Sequence, residues 1–217
     1  MRLFLILIIS LPTYLTAQYV SVKHADDFPL VRQKKVDIHR VLNRDTLVFF
    51  GVDFSNAVIH DESIEKKGIN VLETIPLWIE RYYSDWVQNT GRTSMEKMFD
   101  KEVVLAKENI QESYKERPIN AFNDPAIELE LNDIQRIISD YPKTDQGEVG
   151  FVIILERLDS ENDQIKGHFT FFTTDSHKIL WTLYMQASER GGEFGLRWGA
   201  SLSRMMKHFK DVYKQVG

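Results

Sequence analysis

The sequence predicts an α+β fold: a mixed or mainly antiparallel sheet with a C-terminal strand meander and helices packed on one face. Three observations carry this. Val149–Leu158 is a nearly continuous apolar run rich in β-formers and too short for a membrane span. Gln164–Thr173 and Lys178–Ala187 then alternate: Ile165, Phe169 and Phe171 share one side against Lys166, His168 and Thr170, and Ile179, Trp181, Leu183 and Met185 share another. Finally, Leu202, Met205, Met206, Phe209, Val212 and Tyr213 recur at the i, i+3, i+4, i+7 spacing of a helix laid on a sheet.

The remaining elements follow in chain order. Arg2, the apolar stretch Leu3–Leu11, Pro12 and the small residue Ala17 read as an export signal over residues 1–17, cut after Ala17. Residues 18–45 form a polar N-terminal segment, with a leading strand at Tyr19–Lys23 and a basic run of Arg32, Lys34, Lys35, Arg40 and Arg44 read as a solvated face. Residues 46–217 are expected to form a single α+β domain. Thr46–Phe54 is apolar on both alternating sides, as in a central strand covered on both faces. Ser55–Gly68 reads as a polar connection.

Thr74–Asn89 is a helix that Thr74 can cap and Pro76 can open, closed by Gly91. Ser94–Phe99 is a helical turn and Glu102–Ala106 a short strand. Lys107–Pro125 is a long polar surface loop. Asn132 or Asp133 can cap a helix through Ile134, Ile137, Ile138 and Tyr141, which Pro142 stops.

Composition narrows the function. The 217 residues carry formal net charge -5, which gives no support for nucleic-acid binding. There is no Cys, so disulfides, thiol catalysis and a lipid-bearing Cys are excluded. The expected location is periplasmic or secreted, without an integral membrane span in the mature chain.

Candidate chemistry is sparse. His60-Asp61-Glu62 is the densest group of metal-ligand types, but consecutive residues point in different directions and no His-x-His or His-Glu-x-x-His accompanies it. Asp53 ends an apolar strand, where the carboxylates of open sheets act, or it can serve the turn at Ser55-Asn56. Glu156 and Arg157 read as a structural ion pair. Gly191-Gly192-Glu193-Phe194-Gly195 lacks the Gly-Lys-Ser/Thr of a phosphate loop, and Arg190 and Arg197 leave a weak anion option at the next helix. No metal, cofactor or catalytic residue is assigned.

Lys178-Ile179-Leu180-Trp181, followed by Gly191–Gly199 and an amphipathic helix, resembles uncharacterised exported bacterial α/β proteins. More distantly it is similar to the periplasmic modules of the curli-secretion lipoprotein, the penicillin-binding-protein activator lipoprotein and the amino-terminal domain of TolB. The likeness covers about the last seventy residues, and the anchor Cys of those lipoproteins is missing here. It implies a non-catalytic adaptor or assembly role in the cell envelope, with an envelope protein as partner.

The reading is therefore an exported binding or assembly protein. Candidate binding residues are Tyr83 and Trp86 on the Thr74–Asn89 helix, with Arg190 and Arg197. The alternative is a metal-dependent or carboxylate-based hydrolase using Asp53 with His60, Asp61 or Glu62.

Overall fold

In the computed structural model the described residues are 32–60, 94–106, 128–162, 164–188 and 194–216. They form strands β1 (Arg32–Lys35), β2 (Thr46–Asp53), β3 (Val58–His60), β4 (Glu102–Leu105), β5 (Val149–Asp159), β6 (Gln164–Thr173) and β7 (Ile179–Ser188). The helices are α1 (Ile38–Leu42), α2 (Met95–Phe99), α3 (Leu131–Ser139) and α4 (Phe194–Val216). All seven strands join one sheet in the order β1-β7-β6-β5-β2-β4, with β3 also paired to β5.

The sheet is mixed. β2 runs parallel to β4 and β5, and β3 continues parallel to β5 beyond the end of β2. β5, β6, β7 and β1 pair antiparallel, so the expected C-terminal meander is present. β2 and β5 are buried along nearly their whole length, as continuous apolar runs require. A bulge in β2 lies between Phe49 and Gly51, where Gly51 takes φ 106°, a conformation that a residue with a Cβ rarely adopts.

Two boundaries differ from the sequence reading. The polar N-terminal segment does not end outside the sheet: β1 pairs with β7, and Val41 of α1 is fully buried, so residues 32–45 belong to the folded unit. The run Arg32-Gln33-Lys34-Lys35 suits an edge strand, since charge there discourages further pairing. The polar connection after Phe54 holds β3, whose only fully apolar inward residue is Ile59; three residues give too little pattern to read. The leading strand at Tyr19–Lys23, the helix Thr74–Asn89 and the loop Lys107–Pro125 fall outside the described residues.

The core has two sides. On one, Phe151, Phe169 and Phe171 of the sheet meet Phe209 of α4 at ring-centroid distances of 5.5, 4.8 and 6.0 Å. Trp181 lies 5.7 Å from Phe209, and Phe99 of α2 lies 5.0 Å from Tyr213. Leu202, Met205 and Met206 are buried with them, as the helical stripe predicts.

On the other side, Phe50 and Phe172 meet Tyr141 at 5.8 and 6.0 Å. Neighbouring residues of a strand point to opposite faces, so Phe171 serves α4 while Phe172 serves the α3 region. The expectation of helices on one face describes α2 and α4. α3 packs on the opposite face, where Ile134, Ile137 and Ile138 are buried. It starts one residue before Asn132, with Glu130 as its cap and the Asp133 carboxylate accepting the Glu130 N–H at 3.1 Å. No helix among the described residues is long and apolar enough to cross a membrane.

Candidate functional site

Three buried carboxylates stand at or near the carboxyl ends of β2 and β5, and each is held differently. Asp53, the last residue of β2, is 1% exposed. Its Oδ1 accepts the Ser55 N–H at 2.7 Å, and its Oδ2 accepts the Tyr141 hydroxyl at 2.5 Å. The first bond shapes the turn that carries the chain from β2 into β3, closed by Ala57 N–H to Phe54 C=O. The second joins that turn to the end of α3.

Glu156 is the extra residue of a bulge in β5, where the pairing with β6 skips from Leu155 to Arg157. By alternation from Ile154 its side chain lies on the α3 face. There its Oε2 accepts the Leu129 N–H at 2.9 Å and lies 3.3 Å from His168 Nε2. Gly167, opposite Leu155, lets β5 and β6 come close at the bulge, because a Cβ there would meet the Ile154 carbonyl oxygen at 2.8 Å. The Tyr184 ring lies 5.0 Å from the His168 ring, and Thr170 and Thr182 share a hydroxyl hydrogen bond of 2.8 Å one pair further on. This polar strip binds the segment before α3 to the sheet.

Asp159 ends β5. Its carboxylate accepts from the backbones of Glu161 and Asn162, from the Asn162 amide and from Arg157 Nη1, at 2.9 to 3.1 Å. Burial alone would raise its pKa; the hydrogen bonds from Asn162, Arg157 and His60 outweigh that and hold it below the usual carboxylate value. His60 Nδ1 lies 3.5 Å from Asp159 and 3.7 Å from Glu161.

The sequence candidates are not drawn into one cleft. Asp53 pairs with Ile154 and His60 with Asp159 along the same strand, five residues and about 16 Å apart. Asp61 and Glu62 lie outside the described residues, among which no group of three or more His, Cys, Asp or Glu side chains is placed to hold a metal. The expected Glu156–Arg157 pair is replaced: Glu156 faces His168 and Arg157 faces Asp159. Tyr83, Trp86 and Arg190 also lie outside the described residues, and Arg197 falls in the first turn of α4.

The Glu156–His168 contact was not legible in the sequence. Its one signal is a lone Glu inside an apolar strand, with Gly-His on the next strand. An open depression of about 730 Å³ lies apart from these groups, lined by Leu105, Lys143, Asp145, Gln146 and Asp175 among others.

No family model matches this chain, and no curated protein matches it. Among solved structures, a chain of a PelC dodecamer from Paraburkholderia phytofirmans is similar at 7% identity and a TM-score of 0.36, with 82% of this chain and 94% of that one covered.

Proposed function

We propose that this chain is an exported binding or assembly protein of the cell envelope that acts without catalysis. The observation that carries the reading is the state of Asp53, the carboxylate best placed by sequence for chemistry. Both of its oxygens accept hydrogen bonds from the chain itself, from Ser55 N–H and the Tyr141 hydroxyl. A general base needs an oxygen directed at substrate; here the two oxygens fasten a turn and a helix end. The leader-like residues 1–17 support export, and the aromatic supply at Tyr83 and Trp86 supports a protein partner.

The test is recovery of a cross-linked envelope partner by the wild-type chain and by Tyr83→Ala and Trp86→Ala variants. Loss of the partner from folded variants supports the reading. A hydrolytic activity of the purified chain that disappears in Asp53→Asn or His60→Ala overturns it.

A further inference from the structure

We infer that His177 is an acid-operated latch between α3 and the β6–β7 turn: the neutral ring, seated on Phe172, keeps the turn fastened to α3, and the protonated ring leaves its seat and lets the turn open. The backbone around His177 is built into that fastening. The His177 N–H donates to the Thr173 carbonyl at 2.8 Å, and the Lys178 N–H donates to Thr173 Oγ1 at 3.0 Å. From α3, the Gln135 side chain clips the turn twice. Its Nε2 donates to the His177 carbonyl at 2.7 Å, and its Oε1 accepts the Ile179 N–H at 3.3 Å. One amide side chain thus holds two backbone groups on either side of Lys178.

The clip holds a conformation that the chain does not favour by itself. His177 sits at φ 55°, in the left-handed region that a residue with a Cβ enters only at a cost. The Gln135 bonds and the burial of the ring offset that cost. The side chain is among the buried polar groups at 6% exposure, with its ring centroid 6.1 Å from that of Phe172.

This seat suits a neutral imidazole and not a charged one. Nε2 is buried and has no hydrogen-bond partner. In the neutral ring that nitrogen can stand as a bare acceptor. In the imidazolium both nitrogens carry N–H donors, so the same atom would become a charged donor without an acceptor, away from water. Two charged groups act on the ring: Lys143, from the segment between α3 and β5, opposes protonation, and Asp175, in the turn itself, favours it more weakly. Phe172 and Pro142 bring no charge, α3 meets the turn through the neutral Gln135, and Lys178 is exposed. A protonated ring is therefore driven toward water. Once it leaves, the left-handed conformation has lost the burial that offset its cost. Relaxation to negative φ swings the His177 carbonyl off Gln135 and lifts the cover from Phe172. The neutral ring is the fastened state, so the latch is closed above about pH 6.5 and opens as pH falls below it, by up to about tenfold per pH unit.

Amide hydrogen exchange of the purified chain at pH 7 and pH 5, corrected for its intrinsic pH dependence, tests this through Ile179, whose N–H Gln135 holds. In the wild type, Ile179 protection should fall about fivefold or more between the two pH values. At pH 5 it should lie about tenfold or more below that of Phe171 in β6, since the turn opens without unfolding the sheet. His177→Asn, which tolerates positive φ, should remove most of the pH-dependent fall. Gln135→Ala should expose Ile179 at pH 7 as much as acid exposes it in the wild type. Unchanged wild-type protection, equal protection of Ile179 and Phe171 at pH 5, a full fall in His177→Asn, or undiminished protection in Gln135→Ala overturns the latch. Should His177→Asn not fold, the wild-type ring is titrated by NMR instead: Ile179 exchange that follows the His177 protonation curve supports the latch, and exchange that departs from it overturns the latch.

Discussion

The Tyr141 hydroxyl donates a 2.5 Å hydrogen bond to Asp53 Oδ2, joining two residues 88 positions apart in the chain. Both are buried, and Tyr141 packs against the rings of Phe50 and Phe172. Removing the hydroxyl would leave a buried carboxylate oxygen without its donor. Tyr141→Phe should therefore cost about 1–3 kcal/mol of stability, measured by chemical denaturation. A wild-type midpoint would show that the bond does not fasten α3 to the β2 turn.

The opposite side of the sheet rests on Phe209. Its ring is fully buried among Phe151, Phe169, Phe171 and Trp181. Phe209→Ala removes the ring from a site where four neighbours are themselves fixed on strands and cannot collapse. The expected loss is about 3–5 kcal/mol by denaturation. A loss below about 1 kcal/mol would mean that α4 is not docked through this residue.

His177, in the turn between β6 and β7, is buried at φ 55°. Burial first, and then the nearby Lys143, hold its imidazole below the ordinary 6.5, against the opposing pull of the Pro142 carbonyl and Asp175. The folded chain thus binds this proton less readily than the unfolded chain does. The stability that neutral His177 contributes is complete above about pH 6.5 and is lost as pH falls from there through the folded value. His177→Asn keeps a residue that tolerates positive φ and removes the titration. Its stability should decline less between pH 7 and pH 5 than that of the wild type; parallel declines would contradict the assignment.

The parts of this fold that were legible in the sequence are those whose pattern is local. β6 and β7 alternate because one side of each faces α4, and α4 shows its stripe because one side of it faces the sheet. The parallel attachment of β2 to β5, and of β3 beyond it, leaves no local trace, since pairing partners about 100 residues apart share no pattern. The placement of α3 on the second face was hidden for a related reason: Phe171 and Phe172 are adjacent in sequence and serve opposite layers. The role of Asp53 at its own turn was legible, because an Asp two residues before a turn N–H commonly accepts from it. The Glu156–His168 contact was not, because it depends on the register of β5 against β6, which no local pattern gives.

Export can be read from mass. The pattern Arg2, Leu3–Leu11, Pro12 and Ala17 predicts that residues 1–17 are removed. Intact-mass spectrometry of the chain recovered from an envelope fraction should give a species beginning at Gln18. A full-length mass, or recovery only from cytoplasm, would contradict export.

The central claim is that Asp53 holds structure and does no chemistry, and the Asp53→Asn variant tests it most directly. Asn keeps the size of the side chain and an oxygen to accept from Ser55 or Tyr141, while removing the carboxylate that a hydrolase would need. Capture of the proposed envelope partner by purified Asp53→Asn, beside its denaturation midpoint, is the measurement. The account predicts partner capture at the wild-type level with a lowered midpoint. A variant of wild-type stability that has lost the protein's biological activity would contradict it.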